Sequence, residues 1–358
     1  MRKVFAFLSV RRLLCLGSLA GATLLAGAQQ LPTLAGQDQP SSSQSQSRDD
    51  AMSTLKVNVD VVQLFFNVKD KKGGLIPNLT KNDFQIFEDG KPQTIKYYAA
   101  ESNLPLTLGI LIDSSGSQER VLPMEKEVGG AFLSEILREK DLAFVLSFDV
   151  NVDLLQDFTN SVSRLKTALN QAKINTGGSV ASVIPGMGGG PVPTAGNQRG
   201  TLLYDAIYLA SHDELAHEVG RKAMVILTDG EDFGSQLNIK DAIEAAQKAD
   251  SICYVLLIAD RGFYGLGGYS GDREMKKLAE ETGGRVINVG NKFDKLKEAF
   301  DQIALELRSQ YNVGYTPTNS ARDGTFRKVD IRAKKDYKIQ ARTGYYALGT
   351  RKRSETTH

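Results

Sequence analysis

Cysteine is almost missing from this chain, with only 2 among 358 residues. Cys15 sits in an apolar run near the N-terminus, and Cys253 stands alone in the apolar stretch 252–258. An internal disulfide is therefore excluded once the first segment is gone, and a buried strand thiol is expected at Cys253. Histidine is equally scarce, at 3. His212 and His217 occur in His-Asp-Glu-Leu-Ala-His, a spacing of five that turns a helix by about 140° away from a shared face, so a zinc-protease helix is excluded. His358 is the last residue of a polar tail. No G-x-S-x-G nucleophile elbow is present, since Asp113 stands two positions before Ser115, and no glycine-rich loop ends in Gly-Lys-Ser/Thr. With neither a nucleophile nor an acid–base pair in view, no enzymatic activity is expected. No Lys/Arg stripe with interleaved aromatics marks a nucleic-acid partner.

Excess charge of one sign is lacking too. The formal net charge is +2, and the only markedly basic stretch near the start, with Arg2, Lys3, Arg11 and Arg12 and no acid in the first 28 residues, accounts for it; without them the balance is −2. This stretch precedes an apolar run, Leu13 to Gly27, and then Ala26-Gly27-Ala28. That is the layout of a secretory signal peptide (1–28), with cleavage after Ala28, rather than of a lasting membrane span, for which the run is short. A secreted or periplasmic protein with no stable span after cleavage is expected. Residues 29–53 are rich in Gln, Ser and Asp and predict a disordered linker.

What is present begins near Leu55. Alternating apolar residues followed by Asp70-Lys-Lys-Gly-Gly, then Phe84-Gln-Ile-Phe87 before Glu88-Asp-Gly90, and then Ile95 to Tyr98 predict a β segment over 54–103. From 104 to 308 the texture changes. Nearly continuous apolar runs at 106–112, 142–148, 223–228, 252–258 and 285–289 alternate with helical patterns at 122–138, 162–172, 202–217, 239–250, 272–282 and 293–307. That alternation predicts an α/β domain with a doubly wound, mostly parallel open sheet and helices on both faces. A short antiparallel edge strand is expected at 152–158. A second β segment is expected over 309–348, followed by a tail over 349–358. Each β segment holds about three strand-like runs, too few to cover an apolar face, so the two are expected to form one small β-sandwich.

Strand 106–112 ends in Asp113-Ser-Ser115-Gly-Ser117, and strand 223–228 ends in Asp229-Gly230. Ligands of open α/β sheets bind outside the carboxyl ends of the strands, where both loops lie. Thr201 opens the helical stretch 202–217. One carboxylate and two hydroxyls on a tight loop, joined by Thr201 and Asp229, make five hard oxygen donors suited to Mg²⁺, with Mn²⁺ or Ca²⁺ as alternatives. The other reading is that both aspartates cap turns and the serines satisfy loop amides. Glu231 and Asp232 are expected to decorate the rim. The glycine-rich stretch 176–200 runs straight into Thr201, and a second, 262–271, brings Tyr264 and Tyr269 to the same edge as candidate partner contacts.

Asp113-x-Ser115-x-Ser117, Thr201 within Gly200-Thr-Leu-Leu-Tyr-Asp-Ala-Ile207, and Asp229 within Val225-Ile-Leu-Thr-Asp-Gly230 resemble the metal-ion-dependent adhesion site of von Willebrand factor A (VWA) domains. The flanks, with Asp83-Phe-x-Ile-Phe-Glu-Asp-Gly90 and Gln310-Tyr-x-Val-Gly-Tyr315, resemble bacterial secreted proteins that carry such a domain. The resemblance implies that the serine hydroxyls and often the threonine hold the ion directly while the carboxylates act largely through water. It also implies an open position for an acidic group of a protein or extracellular-matrix ligand. The expectation is a metal-dependent binding or adhesion module; the alternative is a structural scaffold of an envelope complex in which the metal is incidental.

Overall fold

The computed structural model describes residues 61–100, 104–174, 200–258 and 271–348, all of which fall in one compact unit, Val57–His358. The expected signal peptide and linker, most of the 176–200 stretch, Tyr264, Tyr269 and the 349–358 tail lie outside the described residues.

In chain order, four strands come first: β1 (Val62–Lys69), β2 (Phe84–Glu88), β3 (Lys91–Gln93) and β4 (Ile95–Ala100). The α/β part follows with β5 (Leu106–Asp113), α1 (Leu122–Ile136), β6 (Leu142–Phe148), β7 (Val152–Thr159), α2 (Val162–Gln171), α3 (Leu203–Leu209), β8 (Arg221–Thr228) and α4 (Ile239–Lys248). It continues with β9 (Ser251–Leu257), α5 (Gly271–Thr282), β10 (Val286–Asn288) and α6 (Phe293–Arg308). Four strands close the chain: β11 (Tyr311–Tyr315), β12 (Phe326–Ala333), β13 (Lys338–Ala341) and β14 (Gly344–Tyr346).

The central sheet runs β10-β9-β8-β5-β6-β7, parallel throughout except for the antiparallel edge strand β7. Every residue of β5 is buried, as a strand covered on both faces requires. The period-2 alternation splits its side chains: Leu106, Leu108, Ile110 and Ile112 face α1, α2 and α6, while Leu111 faces α3, α4 and α5. After β5 the chain moves to β6 and β7 on one side, then returns to β8 on the other. The strand order therefore reverses between β5 and β8, and the loops leaving their carboxyl ends open onto the switch point.

The flanking strands interleave. One sheet runs β13-β1-β11-β4 and another β14-β12-β2-β3, so each takes strands from both ends of the chain. Their inner faces share one core, in which Phe66, Phe84 and Tyr311 meet with ring centroids 5.1–5.6 Å apart. The expected β-sandwich is therefore present. Buried Glu306 on α6 ties it to the α/β part. It accepts from Lys69 Nζ at 2.7 Å and Gln340 Nε2 at 3.0 Å, and its backbone carbonyl accepts from Asn67 Nδ2 at 2.8 Å.

Two elements differ from the sequence reading. The expected helix over 202–217 is α-helical only to Leu209, then widens into a π turn (Ala210–Glu214) and a 3₁₀ turn (Leu215–His217). Buried Ser211 donates its hydroxyl back to the Ile207 carbonyl at 2.7 Å, a local bond that competes with the regular ladder. Strand β3, with its Lys-Pro-Gln sequence, carries no apolar alternation and was not anticipated. Among the described residues no helix is long and apolar enough to cross a membrane.

Candidate metal centre

Asp113 is the last residue of β5 and is fully buried. The chain then turns through Ser114 and Ser115 into a 3₁₀ turn, Gly116–Gln118, before α1 begins. This turn folds the short motif back over its own aspartate. Asp113 Oδ1 accepts the Ser115 N–H at 2.9 Å, and Oδ2 accepts the Thr228 hydroxyl at 2.8 Å from the end of β8. Ser115 Oγ lies 3.0 Å from Ser117 Oγ, and Ser117 Oγ donates to Asp229 Oδ2 at 2.5 Å. The same Asp229 oxygen accepts from Gln118 Nε2 at 3.0 Å, and Oδ1 accepts the Glu231 N–H at 3.2 Å. Asp113, Ser115, Ser117 and Asp229 thus sit in one hydrogen-bonded network that stitches the β5 loop to the β8 loop.

Thr201 stands beside this network rather than inside it. Its backbone exchanges two hydrogen bonds with Phe233, at 2.9 and 3.0 Å, and the next residue, Leu202, donates to the Asp149 carbonyl at 2.8 Å. These bonds pin Thr201, 5% exposed, between the ends of β6 and β8. Four of the five predicted positions are thus joined through their side chains, while Thr201 is fixed on the adjoining loop through its backbone.

The electrostatics of the group are unfavourable without a cation. Burial, and after it the charge of Asp229, pushes the Asp113 carboxyl up to about 7, against the opposing hydrogen bonds from Ser115 and Thr228. Glu125 in the first turns of α1 is driven well above the usual carboxylate range, first by burial and then by Asp113 and Asp229. Orphaned buried oxygens cluster here as well: Gln118 Oε1 and both carboxyl oxygens of Glu125 have no hydrogen-bond partner among the described residues. Carboxylates that resist ionisation, hydroxyls that can turn their lone pairs inward, and unpaired acceptors together suit a hard divalent cation. Among the described residues no group of three or more His, Cys, Asp or Glu side chains is placed to hold a metal, so such an ion would rest largely on hydroxyl oxygens.

The two acids expected at the rim, Glu231 and Asp232, both accept hydrogen bonds from neighbouring elements. Glu231 Oε1 accepts the Gly271 N–H at 3.0 Å, at the start of α5. Asp232 Oδ1 accepts the Tyr204 N–H at 3.1 Å and the Ser235 hydroxyl at 2.6 Å, holding the first turn of α3. Both are half-buried. Phe233, directly after them, is 59% exposed and is the large apolar side chain at this edge.

Sequence reasoning missed Thr228, Gln118, Glu125 and Phe233. Glu125 had a usable signal: it occupies a core position in the stripe Leu122, Val128, Phe132, Ile136, where an acid is out of place. The others had none beyond adjacency to the motif.

No protein-family model and no curated protein matches the chain. Several solved structures do. The protein BatB from Bacteroides thetaiotaomicron is 18% identical over 57% of this chain and 100% of that one, with a TM-score of 0.41. The vWF domain of the type V pili tip protein Mfa5 from Porphyromonas gingivalis is 14% identical over 58% and 95%, with a TM-score of 0.41. Proximal thread matrix protein 1 from the mussel byssus, with a zinc-occupied MIDAS motif, is 13% identical over 62% and 49%, with a TM-score of 0.43. The strand order, the helices on both sheet faces and the Asp113-x-Ser115-x-Ser117 loop at the switch point give the fold that the sequence resemblance to VWA domains implied.

Proposed function

We propose that this protein is an exported, non-enzymatic binding module that takes up one divalent cation at the switch point and uses it to capture an acidic group of a protein or extracellular-matrix partner. The observation that carries the reading is the network joining Asp113, Ser115, Ser117 and Asp229, in which two acids are held together at the cost of leaving Asp113 hard to ionise. Asp113, Ser115, Ser117, Thr201 and Asp229 would hold the ion. When bound, it supplies positive charge and an oxygen-seeking coordination position. Mg²⁺ fits this all-oxygen set best, with Mn²⁺ or Ca²⁺ as alternatives.

This chain's own residues supply the rest. Thr228 orients Asp113, Gln118 orients Asp229, and the Thr201–Phe233 bridge sets the third loop beside them. Phe233 offers an exposed aromatic anchor next to the charged centre, the kind of side chain that dominates binding at interface cores. The basic, apolar and small-residue order of residues 1–28 supports the export part of this reading.

Calorimetry of the mature chain with Mg²⁺ tests the site. Binding by the wild type and loss of binding in Asp113→Ala are expected; unchanged affinity in the variant would falsify the assignment. Capture from an envelope extract should be chelator-sensitive, and it should weaken equally when the partner's critical Asp or Glu becomes an amide. Chelator-insensitive capture would favour the scaffold role.

A further inference from the structure

Helix α1 places an acid where its own pattern calls for an apolar residue. Leu122, Val128, Phe132, Leu133 and Ile136 pack into the core on one side of the sheet, and Glu125 lies on the same stripe. Glu125 is 0% exposed, and neither of its carboxyl oxygens has a hydrogen-bond partner among the described residues. A buried carboxyl in that condition costs free energy whether it is protonated or charged, and a methionine or leucine would fill the position without that cost. Packing therefore gives no reason for an acid here.

The charges around it give one. The groups that act on Glu125 most strongly are Asp113 and Asp229, two carboxyls of the network described above. The single cation that acts on it is the adjacent Lys126, whose ammonium reaches away to the Asn170 carbonyl on α2 at 3.3 Å. Among the described residues, Glu125 thus feels two neighbouring acids against the one opposing charge of Lys126. The first turn of α1 also favours negative charge at this point through the helix dipole.

We infer that Glu125 is a third carboxylate of the cation site, placed to act on the bound ion by its charge and not as one of the five oxygen donors. This rests on the reading that Asp113 and Asp229 hold a cation. It assigns to α1 a part in metal affinity that the loop motif does not reveal. Neither oxygen is engaged among the described residues, so a bound ion would supply the opposite charge that they lack.

Two measurements on the mature full chain test this: Mg²⁺ affinity by calorimetry, and the melting temperature in excess EDTA. Glu125→Gln keeps shape and removes the charge. It should weaken Mg²⁺ binding about 10- to 100-fold, as loss of an outer carboxylate does at other metal sites. In EDTA the same variant should melt above the wild type, because the amide removes the cost of burying a carboxyl that the unfolded chain ionises. A purely structural role for Glu125 would leave the affinity unmoved. Should the amide fail to fold, Glu125→Met carries the same expectation for both readouts. Wild-type affinity in Glu125→Gln, alongside lost binding in Asp113→Ala, would overturn the inference and leave the metal site standing. Wild-type affinity in Asp113→Ala would remove the site itself and this inference with it.

Discussion

Replacing Asp113 by Asn should make the metal-free protein more stable and the metal-loaded protein comparatively less so. The amide keeps the volume. Its Oδ1 can still accept the Ser115 N–H and its Nδ2 can donate to Thr228 Oγ1, so the two hydrogen bonds survive in altered form. What disappears is the cost of a charge in a buried place beside Asp229. The Asp113 carboxyl is pushed up from 3.8 to about 7, so ionising it in the folded protein costs at most about 4 kcal/mol, at about 1.4 kcal/mol for each pH unit. Below about pH 4 the group is protonated in both folded and unfolded chains and contributes nothing. Between about 4 and 7 the unfolded chain ionises while the folded one keeps its proton, so wild-type stability drains away across that window and stays low above it. The Asn variant has no such loss. In EDTA at pH 8 a gain of about 2 kcal/mol is expected, or roughly 4–8 °C in Tm, shrinking to nothing near pH 4. With Mg²⁺ at about 100 times its Kd, the wild type alone gains about 2.7 kcal/mol, and the order of melting reverses. Differential scanning calorimetry over pH 4–8, with and without Mg²⁺, reads both effects. A variant that melts below the wild type in EDTA at pH 8, or that gains the same Mg²⁺ shift, refutes the reasoning.

Three further outcomes are expected. Thr228→Val removes the donor to Asp113 Oδ2 and the acceptor for the Gly230 N–H at 2.9 Å while keeping volume, so urea titration should show a loss of about 1–3 kcal/mol, together with weaker Mg²⁺ binding. Gly109→Ala in mid-β5 would put a Cβ 2.6 Å from Phe144 Cζ, an overpacking of about 1–3 kcal/mol by the same titration; wild-type stability would mean that the Phe144 ring moves aside freely. Cys253 is buried and its thiol is pushed up to about 12, so a maleimide at pH 8 should label its peptide in denaturant and leave it untouched in the native protein, as peptide mass spectrometry would show.

The α/β elements were legible because a strand covered on both faces must be apolar almost without interruption. The runs at Leu106, Leu142 and Ala223 therefore mark β5, β6 and β8 to within two residues. The loop motif was legible for a related reason: Asp113 ends β5 and Asp229 directly follows β8, and strand ends fix where a side chain is presented. Other features depend on contacts far apart in sequence. Nothing in His-Asp-Glu-Leu signals that Ser211 will bond backward and open a π turn, because that choice is settled by its burial against Met224. Asp232 reads as an exposed acid until Tyr204 and Ser235 come round to it. Glu125 was visible as an acid in an apolar stripe, but its meaning depends on two aspartates that only the fold brings near.

The interleaved sandwich has a consequence for how the chain is made. Asn78 donates to the Tyr311 hydroxyl across 233 residues, and β1 finds both of its neighbours, β11 and β13, at the far end of the polypeptide. Closing so long a loop in an unstructured chain is slow and entropically costly. Folding of the intervening α/β part shortens that loop, since it delivers β4 and β11 side by side, with Ala100 opposite Tyr311. The α/β part is therefore expected to form before the ends meet. Until residue 346 has emerged, whether from a ribosome or across a membrane, the first strands wait with unpaired edges, the condition in which chains are most prone to associate with one another.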